Sequence, residues 1–229
     1  MTRKEETIFF LRPFEKADVP TVTHWFFDLD DLALFDRFMR IPLNREAAEK
    51  SWAESLAYDG RSKNYWFTIT RDQDIPIGII GIESISAVNS DAVVPVFIDR
   101  AMRHKGVGIR AFGLVLDIAF RQLNLARITS YYRADNEVSR TMTGRLGFSE
   151  EGRLRQAWFS GGKRYDMIAI GLLREEWLER RKTLTEELDL DTVVTIGRDT
   201  LGRWSWPLAA SGGEGGSERS SRPEPNEPA

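Results

Sequence analysis

Apolar and polar residues alternate in blocks that predict short strands and amphipathic helices along most of the chain. Residues 8–11 predict an opening strand, and residues 16–26 predict the helical stretch that follows it. Apolar residues at four-residue spacing predict a second helix over 44–58, with its first residue, an asparagine, as the N-cap. The β-branched and aromatic stretch 65–70 and the apolar run 75–85 predict two strands joined by a tight turn.

The next predicted strand, residues 93–98, contains a proline. Pro95 has no N–H to donate to a strand ladder, so the strand is expected to bulge or to leave its neighbour at that point. A turn from Arg103 to Gly108 then leads into a helix whose apolar residues recur three to four positions apart. These residues are Ile109, Phe112, Leu116, Ala119 and Leu123.

The remaining pattern predicts a further strand and helix and then a hairpin. Residues 127–133 predict the strand, residues 136–146 the helix, and residues 154–172 a hairpin turned by the sequence Ser-Gly-Gly-Lys. Helix-forming residues continue over 174–188. Strands and helices in this order predict an α/β (α+β) domain whose mixed sheet is covered by helices on both faces.

The length of 229 residues allows one sizeable core, and we expect one domain over residues 1–188. A C-terminal extension over 189–210 carries a short apolar segment. Its Trp204 and Trp206 fit either a cap on the domain or a contact in a homodimer. Residues 211–229 are mostly Gly, Ser, Glu, Arg and Pro and are expected to be disordered.

Charge and hydrophobicity together argue against nucleic acid and membrane as partners. The formal net charge is -3 and the acidic and basic residues are interspersed, so the chain offers no broad positive field to a nucleic-acid backbone. No apolar run approaches the roughly 20 residues that cross a bilayer, and the polar segment Met1 to Thr7 is unlike a signal peptide. We therefore expect a soluble, cytoplasmic protein that binds neither nucleic acid nor membrane.

The chain has no cysteine, and its two histidines are His24 and His104. Disulfides, thiolate metal sites and an acyl-cysteine intermediate are therefore impossible. A histidine-rich metal site is excluded as well, and no cluster of carboxylates suggests another kind of metal site. Chemistry without a metal is expected.

The turn from Arg103 to Gly108 is the main candidate for ligand binding. A basic, glycine-containing turn at the start of a helix presents backbone N–H groups to one point, and the helix dipole adds positive potential there. Its two glycines allow close approach of the backbone, and Arg103, His104 and Lys105 supply charge. The turn suits a pyrophosphate, although by itself it fits a basic surface loop equally well. It lacks the spacing of a Walker loop or a dinucleotide fingerprint.

Motifs around this turn follow an order typical of one family. Val96-Phe97-Ile98-Asp99 precedes the turn, and Asn136-Glu137-Val138-Ser139 and Arg145-Leu146-Gly147-Phe148 follow it. With the opening Leu11-Arg12-Pro13 and the hairpin at 154–166, this string resembles the GNAT superfamily of N-acetyltransferases, and specifically its RimJ/RimL-like branch of ribosomal-protein N-terminal acetyltransferase type. The resemblance implies a single GNAT-type domain with a mostly antiparallel central sheet that is splayed at its middle.

The resemblance also implies how acetyl-CoA, or another acyl-CoA, binds as the co-substrate. In this family the pantetheine arm lies in the splayed gap and hydrogen-bonds the strand backbone, which corresponds here to Phe97, Ile98 and Asp99. Asn136 resembles the asparagine that orients the pantetheine arm; the alternative is a plain helix cap. The residues that correspond to the pyrophosphate site are Arg103, His104, Lys105, Gly106, Val107, Gly108 and Ile109.

The reaction implied by the resemblance is direct attack of a primary amine on the thioester within a ternary complex. The acceptor is a protein N-terminal amine or a small-molecule amine. Many family members have a tyrosine four residues before the glycine of the Gly-Phe pair, where this chain has Thr143. Ser139 resembles the serine proposed to assist the leaving thiolate; alternatively it only bonds the backbone or the cofactor.

Glu83 is the candidate general base because it interrupts an apolar strand, where a carboxylate is costly unless it faces a cavity or a partner. A solvent-facing position is the alternative. Four acidic residues near the family's acceptor entrance either recruit a cationic amine or form ordinary surface: Asp28, Asp30, Asp31 and Asp36. Three aromatic residues line either the acceptor pocket or the core: Tyr131, Tyr132 and Trp158.

Two other functions are consistent with the sequence. A protein of the same fold could bind acyl-CoA as a sensor without turnover, which the absent tyrosine favours. An interaction protein could instead act through its C-terminal extension. Release of free CoA in the presence of amines separates the first from an enzyme, and deletion from Ser211 onward separates the second.

Overall fold

The computed structural model describes residues 7–38, 44–56, 64–197 and 205–207. Within these ranges the chain forms ten strands and six α-helices. The strands are β1 (Thr7–Pro13), β2 (Tyr65–Arg71), β3 (Ile75–Ser86), β4 (Asp91–Val93), β5 (Val96–Ile98), β6 (Arg127–Arg133), β7 (Ser149–Ser160), β8 (Lys163–Leu173), β9 (Thr192–Ile196) and β10 (Ser205–Trp206). The helices are α1 (Val19–Trp25), α2 (Leu29–Phe35), α3 (Arg45–Leu56), α4 (Val107–Arg121), α5 (Glu137–Leu146) and α6 (Arg174–Glu187).

The strands form one mixed, mostly antiparallel sheet, as predicted. Its order is β10-β9-β1-β2-β3-β4-β6-β8-β7, and β5 pairs with β3 outside this path. Among the described strands, only β1 with β9 and β4 with β6 are parallel pairs. One hydrophobic cluster packs around α4, and the other packs around α1 and α3. Helices therefore cover both faces, which confirms the predicted fold class.

The sheet opens at Pro95, in the middle of the stretch predicted as one strand. Val93 of β4 is paired with both β3 and β6, and the Val94 N–H still donates to Thr129 on β6 at 3.2 Å. After Pro95 the chain continues as β5, which pairs with β3, while β6 continues along β8. The opening between β5 and residues 130–133 of β6 is called the β5–β6 gap below.

The short helix α2 was absent from the elements predicted from the sequence. Asp28 caps it, because its side chain accepts hydrogen bonds from the N–H groups of Asp30 and Asp31 at 3.0 Å each. The helix has seven residues, too few for a hydrophobic period to stand out. The Asp-x-x-Asp spacing of Asp28 and Asp31 is the signal that the sequence offers for this cap.

The opening motif holds the first strand to the first helix through a buried ion pair. Arg12 on β1 makes two hydrogen bonds of 2.7 Å to the carboxylate of Asp18, which directly precedes α1. Thr68 on β2 donates to the same carboxylate at 2.7 Å. Burial alone would raise the pKa of Asp18, but the hydrogen bonds from Arg12, the Glu15 N–H and Thr68 hold it below its usual value.

The chain after α6 returns to the sheet and extends it. Strand β9 pairs in parallel with β1, and Trp206 of β10 is fully buried. The Trp206 ring lies 5.2 Å from that of Trp177, and it packs so closely on α4 that a Cβ at Gly113 would come within 3.1 Å of it. Trp206 therefore caps the domain, one of the two alternatives raised above. Trp204 and residues 208–229 lie outside the described part of the chain.

Candidate functional site

The basic turn, Arg103 to Gly108, ends directly at the N-terminus of α4. His104 and Gly106 both adopt left-handed backbone conformations, with φ of 63° and 74°. The first N–H groups of an α-helix have no acceptor within the helix, and in α4 these belong to Val107, Gly108 and Ile109. The side chains of Val107 and Ile109 are buried in the core, so the turn offers main-chain amides at the mouth of the helix.

The two glycines of the turn serve different purposes. Gly106 supplies the left-handed conformation that ends the turn, whereas Gly108 has an ordinary helical conformation. A Cβ built at Gly108 lies 3.5 Å from Ile98 on β5 and 3.5 Å from Met142 on α5. The start of α4, the end of β5 and the Met142 side chain of α5 therefore meet at Gly108.

The side chains of the turn do not all face the same way. Arg103 turns back toward the fold, where its Nε donates to the Ile98 carbonyl at 2.9 Å and its Nη2 donates to Asp31 at 2.8 Å. His104 and Lys105 are exposed beside the helix start. The Arg103 guanidinium is therefore bound within the fold, whereas the His104 and Lys105 side chains are exposed to solvent.

Strand β5 lines one side of the β5–β6 gap with alternate residues. The N–H of Asp99 donates to Ile77 on β3 at 2.9 Å, so the main chain of Asp99 faces β3. Alternation along the strand directs the main chain of Phe97 to β3 as well, and that of Val96 and Ile98 to the gap. Of the three predicted positions, only Ile98 presents its backbone to the gap. Val96, which is not among the predicted positions, does so too, and the orientation of a strand cannot be read from its sequence.

Helix α5 supplies the polar groups on the far side of Gly108. The Asn136 side-chain oxygen accepts from the Ser139 N–H at 3.1 Å, so Asn136 caps the helix and keeps its NH2 group for another acceptor. Ser139 is half-buried one turn before Met142. The Thr143 hydroxyl is buried and donates to the Ser139 carbonyl at 2.8 Å. Thr143, which stands where many family members have a tyrosine, therefore uses its hydroxyl in a hydrogen bond to its own helix.

Glu83 lies on the sheet beside the point where it opens. The register pairs it with Val93, two residues before Pro95. The Trp66 indole N–H donates to the Glu83 carboxylate at 3.2 Å, and a Cβ at Gly81 would overlap that indole ring. Burial raises the pKa of Glu83 above its ordinary value, the negative charge of Asp36 adds to this effect, and the hydrogen bond from Trp66 opposes it.

Two of the four acidic residues near α2 are neutralised by arginines. Asp28 lies 3.0 Å from Arg100, and Asp31 lies 3.0 Å from Arg100 and 2.8 Å from Arg103. Asp30 is exposed, and Asp36 accepts from the Phe38 N–H at 2.7 Å. A cavity of about 220 Å³ borders this cluster and is lined by His24, Trp25, Asp28, Asp31, Phe97, Asp99 and Arg100.

The three aromatic candidates separate into core and surface. Tyr132 and Trp158 are buried, and the Trp158 indole N–H donates to the Ala33 carbonyl of α2 at 2.8 Å. Tyr131 is 45% exposed and is the one member available to line an acceptor pocket. The hydrogen bond from Trp158 therefore joins the β7–β8 hairpin to α2.

The described ranges contain neither a helix suited to crossing a membrane nor a cluster of metal-ligating side chains. None of the helices there is both long enough and apolar enough to cross a bilayer. In the same ranges, no three His, Asp or Glu side chains come together as a metal site would require.

The chain is similar to known acetyltransferases in sequence. Residues 9–149 match the Acetyltransferase (GNAT) domain family, which is more than half of the chain. The putative ribosomal N-acetyltransferase YdaF of Bacillus subtilis is 31% identical over 100 residues, covering 44% of this chain and 55% of that protein. Spermidine N(1)-acetyltransferase of Escherichia coli (strain K12) is 28% identical over 106 residues, covering 46% of this chain and 57% of that protein.

The solved structures extend the match to the fold. The crystal structure of spermidine N-acetyltransferase from Vibrio cholerae in complex with CoA and spermine superposes with a TM-score of 0.66 at 20% identity, covering 74% of this chain and 98% of that chain. Against the curated relatives above, the matched region spans only a little over half of their length. The family match, the splayed sheet and the amide-lined turn agree, and the chain belongs to the GNAT acetyltransferase family.

Proposed function

We propose that this protein transfers an acetyl group from acetyl-CoA to a primary amine by direct attack within a ternary complex. The observation that carries this proposal is that the basic turn and the β5–β6 gap meet at Gly108, which packs on Ile98. A ligand that fills both must have an anionic group at one end and an extended arm with hydrogen-bonding amides. Coenzyme A has this shape, with a diphosphate joined to pantetheine.

The residues that would hold the diphosphate are those at the mouth of α4. The amides of Val107, Gly108 and Ile109 point along the helix axis and favour an anion, and the exposed His104 and Lys105 add side-chain charge. Arg103 acts indirectly in this proposal, because it ties the turn to Ile98 and Asp31.

The pantetheine arm would lie in the β5–β6 gap as an added strand. Val96 directs its main-chain groups there and Ile98 its N–H, since the Ile98 carbonyl already accepts from Arg103, and the Asn136 NH2 group is a further donor. The thioester would then lie near Pro95, where the gap closes. Glu83 is one strand away from that point, on the face of the sheet that carries Trp66.

The chemistry assigned to these residues requires one base and one hydrogen-bond donor. The amine nitrogen attacks the thioester carbonyl carbon, the carbon–sulfur bond breaks and coenzyme A leaves as a thiolate. Glu83 accepts the proton that the nitrogen loses, directly or through a water molecule, and its raised pKa suits this role. The Ser139 hydroxyl donates a hydrogen bond to the thiolate, because that of Thr143 is already bound to a helix carbonyl.

Acceptor profiling tests the proposal directly. The protein is incubated with acetyl-CoA and a panel of N-terminal peptides, polyamines, amino acids and aminosugars, and free CoA is measured. We expect release that depends on at least one class of amine. Tight CoA binding without release on any amine would contradict the proposal and support an acyl-CoA sensor instead.

Trp66→Phe is expected to move the acidic limb of the pH profile of kcat/KM to higher pH. The Trp66 N–H stabilises the charged form of Glu83, so its loss raises the pKa of this base further. A base must be ionised to act, so activity is lost as pH falls through its pKa, and a higher pKa places that loss at higher pH. Profiles of the variant and the parent with one acceptor isolate the effect, because the pKa of the acceptor is common to both.

Trp52→Phe is the matched control for this variant. Trp52 is buried in the same aromatic cluster and stacks on Phe26 at 4.7 Å, so its replacement perturbs the packing in a similar way. It should leave the acidic limb in place. An equal shift in both variants, or none in Trp66→Phe, would show that Trp66 does not act through Glu83.

A further inference from the structure

Arg110 is a buried cation in the first turn of α4, where a positive charge is unfavourable. It is 2% exposed and lies three residues after Val107, the first residue of the helix. The N-terminus of a helix already carries a partial positive charge, and a buried charge costs free energy unless it is paired. An arginine that is both buried and at a helix N-terminus is therefore expected to have a partner or a function.

The Arg110 guanidinium connects the basic turn to the segment that follows α6. Its Nη1 donates to the Gly106 carbonyl at 3.0 Å. Its Nη2 donates to the Asp189 carbonyl at 2.7 Å and lies 3.1 Å from the Asp189 carboxylate. The Asp189 side chain is 62% exposed, so solvent screens this ion pair. The Nε atom is buried and has no hydrogen-bond partner among the described residues.

The hydrogen bond to Gly106 reinforces the direction of a neighbouring amide. In a trans peptide the C=O and the following N–H point in opposite directions. Gly106 is the N-cap of α4, so its carbonyl already points into the helix, and the Arg110 side chain adds a second hydrogen bond that holds it there; the Val107 N–H of the same peptide points outward, to the mouth of the helix. The contact is specific to glycine, since a Cβ at Gly106 would overlap the guanidinium.

We propose that Arg110, anchored by the chain at Asp189, is a positioning residue for the diphosphate of coenzyme A. It braces the Gly106–Val107 peptide in the orientation that the helix start gives it, with the amide outward, and it places a buried positive charge beneath the anion. The segment between α6 and β9 is thereby part of the support of the cofactor site. This inference rests on the proposed function, in which the basic turn binds the diphosphate.

Replacement of Arg110 is expected to weaken binding of the diphosphate-bearing cofactor selectively. Calorimetry with CoA should show a Kd raised by about tenfold or more for Arg110→Met, the loss expected for a charge-assisted hydrogen bond. Arg110→Lys keeps the charge but loses the planar fork that reaches both Gly106 and Asp189, so its Kd should lie between those of Arg110→Met and the parent. Thermal unfolding shows whether each variant folds, and Arg110→Lys keeps the test possible if Arg110→Met does not.

A truncated donor separates positioning from a merely structural role. S-acetylpantetheine has the thioester and the arm but no diphosphate. Arg110→Met or Arg110→Lys should lower kcat/KM with acetyl-CoA and leave kcat/KM with S-acetylpantetheine unchanged. An equal loss with both donors would show that Arg110 only supports the fold, and unchanged CoA affinity in both variants would overturn the inference.

Arg121→Met provides a matched control on the same helix. Arg121 lies at the last residue of α4 and pairs with Asp117 at 3.3 Å, far from the basic turn. Its removal should leave the Kd for CoA unchanged.

Gly108→Glu separates failure of the role proposed for Arg110 from failure of the proposed function. If that variant loses CoA binding while the Arg110 variants keep it, only the role of Arg110 fails; if all of them keep it, the proposed function fails too.

Discussion

Gly108→Glu is expected to abolish coenzyme A binding without loss of stability. The new carboxylate would lie in the first turn of α4, where a negative charge is favourable for the helix. It would occupy the amides proposed to bind the diphosphate and repel the same anion. Calorimetry should show a Kd for CoA raised by about 100-fold or more, which corresponds to about 2.7 kcal/mol. Thermal unfolding should show a Tm at or above that of the parent protein.

Two substitutions at the same position separate charge from bulk. The Cβ of Gly108→Ala would sit 3.5 Å from Ile98 and Met142, an ordinary van der Waals contact, so that variant should bind CoA nearly as the parent does. Gly108→Gln has the size of the glutamate variant without its charge and should fall between the two. Parent-like CoA affinity in Gly108→Glu would show that the basic turn is not the diphosphate site.

Glu83→Gln is expected to remove most of the turnover while CoA still binds. The amide is close in size to the carboxylate and its oxygen can still accept from Trp66, but it cannot take a proton from the amine. The loss of a general base lowers kcat by about 10²–10⁴-fold. Steady-state kinetics on the best acceptor of the panel measures the loss, and calorimetry with CoA verifies that the cofactor site is intact.

Glu179→Gln is the control for removing one carboxylate. Glu179 is exposed on α6 and pairs with Lys182 at 3.5 Å, remote from the β5–β6 gap. Its kinetics should match those of the parent. If Glu83→Gln also turns over at the parent rate across the pH range, Glu83 is not the base, and the amine loses its proton to solvent or to another group.

Local elements followed closely from the sequence because they depend on short-range physics. The bounds of β6 were predicted to the residue, since alternation and flanking turns define a strand locally. The turn at Gly161 and Gly162 has positive φ at both residues, as a two-residue hairpin requires. Pro95 also marked the place where the sheet opens, because a missing N–H cannot be supplied by any neighbour.

Contacts between side chains that are distant in the sequence could not be predicted from it. Arg103 was assigned to the pyrophosphate site because of its place in the basic turn, and the structure turns its side chain to Asp31, 72 residues earlier. Arg110 has no role among the expectations from the sequence, and in the structure it is bound to Asp189, 79 residues later. Charge in a turn is visible in the sequence, whereas the group that neutralises it is chosen by packing.

The sequence by itself determined most of the strands and helices up to α6, with α2 the exception, and also the basic turn before α4 and the break at Pro95, because each depends on residues within a few positions of one another. The tertiary structure alone decided that β9 joins β1, that Val96 and Ile98 face the gap, and that Glu83 lies beside Trp66. These depend on which strand lies next to which and on the direction of each pleat. Such choices are made by contacts between segments that the chain brings together only when it folds.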